Sequence, residues 1–358
     1  RGTKGKPELS ISVDESWTYF TNEPERIHSW DWMGMRNQAK TNSGHEIEFS
    51  DFVIDKYRNP LAGLDPSSPG YETEKKKRLY MYPDNDYYRM YIAKYTPQTR
   101  LNANISGGTD FLNYFINAGY IHQGGNLNTE SEDKLGYDPS SWMRRMSLRS
   151  NLDFQLAKTF KVSLNLASYA EKINMPCVGS MYKDDNHMMT DLIYQSLTIK
   201  PMSPGPTTIS EFGVADGALV DYKYLDRSAF EVMNRRGFNR QDKKNLNTQL
   251  TLDWDLGMLI TPGLSLKGMV AYDTYNWGLL QGYKKEITYV TNIDYERDEL
   301  TYELYNSDVT ELSLSSGRKS NYRVNFQGSV NYNRTFDGRH DVTGMVIAHR
   351  DYWEPESA

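Results

Sequence analysis

The stretch Trp142–Ala157, WMRRMSLRSNLDFQLA, divides into two faces when read at every second residue. One face carries Trp142, Met146, Leu148, Leu152, Phe154 and Leu156. The other carries Arg145, Ser147, Arg149, Asn151, Asp153 and Gln155. Strand side chains alternate faces with a period of two. The same alternation recurs in about eight segments, each long enough to cross a bilayer as a tilted strand of ~9–11 residues. A strand in a soluble sandwich also turns one face to a core and the other to water. Repetition at this length points instead to a transmembrane β-barrel, with lipid outside and a wet lumen inside.

Composition agrees with that reading. Mean hydropathy is −0.72, and no run of ~18 apolar residues offers a transmembrane helix. A barrel escapes this test because half of each strand faces water. The surplus of tyrosine (27) and tryptophan (7) suits aromatic girdles at two membrane interfaces. The net charge of −6 argues against nucleic acid as a partner. The single cysteine, Cys177, has no partner for an intrachain disulfide and no metal-ligand spacing. The opening residues, Arg1-Gly2-Thr3-Lys4-Gly5-Lys6, are no signal peptide. An exported protein of this kind has had its signal removed or is represented by an internal piece.

The strands expected are 9–19, 99–107, 111–123, 142–157, 160–172, 246–257, 264–275, 321–336 and 341–349, the last with ambiguous faces. Short connections follow Gly107, Ala157, Gly257 and Phe336. Long ones span about 20–98, 124–141, 173–245 and 276–320. Short and long alternate throughout, which predicts an all-β, antiparallel up-and-down sheet with short periplasmic turns and long extracellular loops. Phe111, Phe160, Trp254 and Phe336 would form one girdle, and Tyr19, Tyr120 and Trp142 the other. Gly107-Gly108 reads as a hairpin turn supplying positive φ. Short helices are expected in the loops around 50–58 and 187–197, where apolar spacing approaches 3.6.

Several segments, in order, resemble the SusC/RagA class of TonB-dependent outer-membrane transporters. Arg1-Gly2-Thr3-Lys4-Gly5-Lys6 resembles the end of the plug domain. Asn104-Ile105-Ser106-Gly107-Gly108-Thr109-Asp110, then Asn113-Tyr114-Phe115, Gly119-Tyr120 and Gln123-Gly124-Gly125, resemble an early barrel hairpin. Arg149-Ser150-Asn151-Leu152-Asp153 with Leu164-Asn165-Leu166 resembles the next. The likeness covers residues 1 to about 175; beyond that only the strand rhythm fits. It implies a barrel of about twenty-two strands in the outer membrane of a Gram-negative, Bacteroidetes-type bacterium. It also implies a SusD-like surface lipoprotein, energy from the TonB complex through parts outside this chain, and cargo of oligosaccharide or peptide. Residues 1–8 would then end the plug and link to the barrel, and 9–358 would form roughly its first nine strands. The final residues, Arg350 onward, do not resemble a terminal barrel strand.

No catalytic constellation and no cofactor site stands out, so the expectation is a non-enzyme. The six histidines show no paired metal spacing. Asp184-Asp185-Asn186 offers oxygen donors of the kind calcium takes, or simply a solvated loop. The first long loop holds Trp30-Asp31-Trp32, Tyr80-Met81-Tyr82 and Tyr87-Tyr88. Aromatic rings beside carboxylates and amides suit sugars, which makes Trp30, Trp32, Tyr82, Tyr87 and Tyr88 candidate cargo contacts; loop packing is the alternative. Arg145, Arg149, Asp153 and Lys161 would face the lumen and hold the plug, pair with each other or line the path. Two other functions compete with active import: a passive porin or adhesin on a barrel scaffold, and a soluble all-β glycan-binding protein.

Overall fold

The computed structural model describes residues 4–177, 185–225 and 228–357. Nine long strands form one antiparallel sheet: β1 (Gly5–Thr18), β2 (Thr96–Gly108), β3 (Leu112–Gly124), β4 (Trp142–Ala157), β5 (Phe160–Pro176), β7 (Gly237–Asp255), β8 (Leu264–Lys285), β11 (Thr310–Phe336) and β12 (His340–Ser357). They pair in that order. The sheet is open, with β1 and β12 at its two edges. The short β6 (Leu219–Val220) and the hairpin β9 (Thr288–Asp294) and β10 (Glu299–Asn306) make a separate three-stranded sheet.

Register explains why the nine strands share two faces. Directly opposed residues lie on the same side of a sheet. One row runs Leu9, Ile105, Ile116, Ser150, Leu166, Thr248, Tyr272, Val324 and Tyr352 from edge to edge. The adjacent row, on the other face, runs Ser10, Asn104, Asn117, Arg149, Ala167, Asn247, Asp273, Arg323 and Trp353. Leu148, Leu152, Phe154, Leu164, Leu252 and Phe326 all fall on the apolar face. Large apolar side chains there stand open: Leu148 is 45% exposed and Phe326 47%. A face so apolar and so uncovered is suited to hydrocarbon. The fold is that of part of an up-and-down transmembrane β-barrel. On β12 the pattern weakens: Arg350 stands opposite Phe326 on the apolar face.

The turns differ in their chemistry. Asp337 (φ 50°) and Gly338 (φ 64°) turn β11 into β12, as a tight hairpin with two left-handed residues requires. Gly107 and Gly108 are different from expectation. They lie inside β2 and neither takes positive φ. A Cβ on Gly107 would sit 2.6 Å from the Tyr114 hydroxyl, so smallness, not backbone freedom, is what that position needs. The turn itself is closed by Thr109, whose hydroxyl accepts from the amides of Phe111 (3.2 Å) and Leu112 (3.1 Å).

Several boundaries move. β1 starts at Gly5 rather than Leu9. β5 runs on to Pro176, β7 begins at Gly237, β8 continues to Lys285 and β11 begins at Thr310, so both ends of the stretch 173–245 and most of 276–320 are strand. β12 continues to Ser357 through the residues after His349. The extensions of β5, β7, β8 and β11 lie beyond the bilayer-length core, where the alternation fades; that of β12 begins within it, where Arg350 and Tyr352 oppose Phe326 and Val324.

The long loops are folded. The first holds α1 (Ser29–Asn42), α2 (Asp51–Arg58), α3 (Tyr71–Met81) and α4 (Tyr87–Tyr91); α5 (Glu132–Leu135) and α6 (Asp185–Thr198) follow in the next two. The expected helices around 50–58 and 187–197 are α2 and α6. The Ser50 hydroxyl caps α2 by accepting from the Val53 amide at 3.4 Å. Met33, Val53, Tyr57, Met81, Tyr82 and Leu300 form one buried cluster. Tyr87, Tyr91, Leu192, Val220, Val232 and Met233 belong to another. Almost all apolar burial therefore lies in the loops. Ile173 and Met175, on the polar face of β5, join the second cluster, so the loops settle over the polar side of the sheet.

Candidate functional site

The polar face and the loops above it form the site. On the sheet, Glu171 is 6% exposed and accepts from Arg145 Nε at 2.7 Å. Lys243 Nζ lies 3.6 Å from its other oxygen. Lower down, Ser163 Oγ donates to Asp153 at 2.5 Å, and Lys161 Nζ lies 3.4 Å from the same carboxylate. Thus two of the four expected lumen charges, Asp153 and Lys161, pair with each other, and Arg145 takes a carboxylate that had not been singled out as its partner. Glu171 was legible as an inward residue of its strand; Lys243 was hidden inside a stretch read as loop. Arg149 has no ion pair among the described residues. Around these charges the face is a field of amides: Asn104 accepts from Asn117 Nδ2 at 2.6 Å, and Asn151 stands opposite Asn165.

The five loop aromatics are placed apart. Tyr82 and Tyr87 are each 2% exposed. The Tyr82 hydroxyl donates to Asp298, and Tyr87 donates to the carbonyls of Ser203 and Pro204, both at 2.8 Å. Both rings are occupied in loop packing. Trp32 and Tyr88 are half-buried against the two clusters. Trp30 is stacked on His28, centroids 4.5 Å apart. More open loop aromatics include Phe52, Tyr95, Tyr194 and Tyr305; Phe52 and Tyr194 lie in the two segments expected to be helical, but none of the four is among the expected cargo contacts.

Two charged hubs hold the loops in place. Asp298 receives Lys56 and Tyr82, with Arg78 3.8 Å away. Burial pushes the Asp298 carboxyl up, but the hydrogen bonds from Lys56 and Tyr82 and the two cationic charges outweigh it, leaving it below the usual carboxylate value. A depressed folded-state value gives stability that is present above the unfolded pKa of about 3.9 and is lost as pH falls through the folded value. The junction of α2 with the β9–β10 hairpin should therefore loosen on acidification below about pH 4, and Asp298→Asn should flatten that part of the response. Hydrogen exchange of the α2 amides against pH checks it; identical profiles for the two proteins would refute the role.

The second hub is Arg235, the last residue of a π-helical turn, Glu231–Arg235. Its Nη2 donates to Glu130 at 3.0 Å and its Nη1 to Glu286 at 3.2 Å, joining three loops. Among the described residues no group of three His, Cys, Asp or Glu side chains is placed to hold a metal ion. Asp184 and the side chains of Asp185 and Asn186, the possible calcium ligands, lie outside the described residues. Cys177 is buried, within 3.1 Å of Gln281 Nε2.

No protein-family model matches the sequence, and no curated protein does. Solved structures do. The chain superimposes on the RagAB peptide transporter with a TM-score of 0.61 at 14% identity, over 98% of this chain and 35% of the other. The RagAB peptide importer in its "open-open" state gives 0.61 at 14% identity, over 99% and 36%. The chain has the fold of one arc of an outer-membrane transporter barrel. It spans about a third of the length of the structures it matches.

Proposed function

We propose that this chain is an arc of the barrel of a TonB-dependent importer, carrying a bulky nutrient across the outer membrane of a Bacteroidetes-type bacterium. One observation carries the reading: a single sheet with an apolar face, an amide- and charge-rich face, and folded loops settled over the polar side at one end only. A path lined by Asn, Gln and paired charges can exchange hydrogen bonds with a polar polymer without a deep apolar trap. Residues 1–8 would end the plug and lead into the barrel. Arg145, Arg149, Asp153 and Lys161 would meet the plug, with Arg149, which has no ion pair among the described residues, the readiest to contact it. A SusD-like lipoprotein would cap the loops from outside. Trp30, Trp32 and Tyr88 remain the aromatic cargo contacts of this reading, while Tyr82 and Tyr87 support the loop frame.

Oligosaccharide is the cargo favoured by the loop aromatics beside polar groups. Oligopeptide is the second reading, favoured by the named cargo of the RagAB structures, whose fold this chain shares. Uptake of fluorescent oligosaccharides and oligopeptides by cells with and without the full-length protein tests both. Import should require the protein and stop when a protonophore collapses the proton-motive force. Import that survives the protonophore would mean a passive pore.

A further inference from the structure

The apolar face ends abruptly on its loop side. On β5 its positions run from Phe160 to Ala170, about the ~9–11 residues a tilted strand needs to cross hydrocarbon. The next position on that face is Lys172. On β4, Arg144 follows Met146; on β7, Lys244 follows Leu246; on β11, Arg318 follows Ser320. Register aligns them. Arg144 opposes Lys172, Lys172 opposes Asp242, Asp242 opposes Gly278, and Gly278 opposes Arg318; Lys244 stands in the row below, opposite Ala170. A groove passes along Lys172, Asp242, Lys244, Gly278 and Arg318.

All four cations are exposed, and Asp242 is the carboxylate among them, 3.9 Å from Lys172. Arg144, Lys244 and Arg318 take no ion pair or hydrogen bond among the described residues. Arg144 lies over the Trp142 ring at 4.4 Å. Like charges set directly opposite one another destabilise a sheet, so Arg144 beside Lys172 calls for an anion between them.

We propose that this belt docks the phosphorylated headgroup of an outer-leaflet glycolipid. Its height is where the hydrocarbon ends and headgroups begin. Phosphate oxygens take charge-assisted bonds from guanidinium and ammonium groups, and Trp142 adds an interfacial ring. A dissolved phosphate would feel the same charges. The rows of Ala170, Leu246 and Leu166 directly below favour a ligand whose acyl chains descend along the apolar face.

The inference rests on the reading that this face meets lipid, and the test separates the two. The full-length protein, checked for heat-modifiable migration as a folded barrel, is mixed with diphosphorylated lipid A or its dephosphorylated form and examined by native mass spectrometry. Wild type should retain the diphosphorylated lipid. R144Q/K172Q/K244Q/R318Q should lose it at least tenfold, whereas R149Q on the polar face should keep it. If the quadruple variant does not assemble, K172Q/R318Q should show the same direction of loss. Equal retention of the dephosphorylated lipid, or undiminished retention by the folded variant, would overturn the belt. Variant-sensitive binding of inorganic pyrophosphate as tight as that of the lipid would overturn the headgroup assignment. A wild-type protein that never forms a heat-modifiable barrel would instead remove the membrane reading beneath it.

Discussion

Arginine at Leu152 should block assembly of the barrel, while arginine at the neighbouring Asn151 should leave it intact. Leu152 lies between Tyr114 and Leu164 on the apolar face, in a row continued by Leu250, Val270 and Phe326. That row is near the middle of the bilayer-length span. A charged side chain there costs roughly 2–4 kcal/mol near the midplane of a barrel. Asn151 opposes Phe115 and Asn165 on the polar face, where a guanidinium finds water and amide acceptors. Heat-modifiable migration and protease resistance in outer-membrane fractions report the outcome. Equal tolerance at both positions would contradict the two-faced sheet.

Arg235→Met should unfasten the loops without disturbing the strands. Arg235 is 11% exposed at its side chain, and its partners Glu130 and Glu286 are 13% and 25% exposed. Removing one member of a buried ion pair leaves the other charge uncompensated, at about 3–5 kcal/mol. Two carboxylates lose that partner here, but Glu130 keeps Lys134 and Glu286 keeps Lys284, so the loss should fall toward the lower end of that range. Limited trypsin digestion should cut within the loops of the variant and spare those of wild type, with barrel migration unchanged. E130Q/R235M should recover part of the loss, because one of the two under-compensated carboxylates is then neutral. A variant with wild-type loop resistance would show that the hub contributes nothing.

The transmembrane part of the fold was legible because two environments act on every strand. Lipid selects Leu148, Leu152 and Phe154 on one side, and water selects Arg149, Asn151 and Asp153 on the other, so β4 reads out with both ends correct. Where the two environments become alike, the signal ends. Gly278 to Lys285 on β8 and Thr310 to Arg318 on β11 pair with each other above the bilayer-length core, and sequence periodicity left them as loop. α3 was missed for a related reason. Its sequence, YETEKKKRLYM, is polar around almost the whole circumference, and only Met81 is buried. Its real signals are electrostatic, with Glu72 and Glu74 in the first turn and Arg78 in the last.

The candidate site was legible by face but not by contact. The inward frame placed Arg145, Arg149, Asp153 and Lys161 together, and the sheet keeps them on one side. Pairing depends on which strand comes next, so Lys243 reached Glu171 from a segment thought irregular. The loop aromatics failed more completely. Aromatic clusters in a polar loop serve equally as ligand surface or as core, and local sequence does not separate the two. Tyr82 and Tyr87 became core because segments more than a hundred residues away supply the carboxylate and carbonyls that satisfy their hydroxyls.

The grip of Lys56 on Asp298 joins partners 242 residues apart in the chain. One belongs to the loop between β1 and β2, the other to the loop between β8 and β11. In the sheet those strand pairs lie toward opposite edges, so the loops act as a bowstring drawn across the top of a bent bow. A sheet in lipid has little of its own to set how tightly it curls, since its apolar face meets a fluid. The string supplies a length. On the reading of this sheet as part of a barrel wall, the grip of α2 on the β9–β10 hairpin would fix how far apart the strands toward its two edges stand, far from any residue of the polar face.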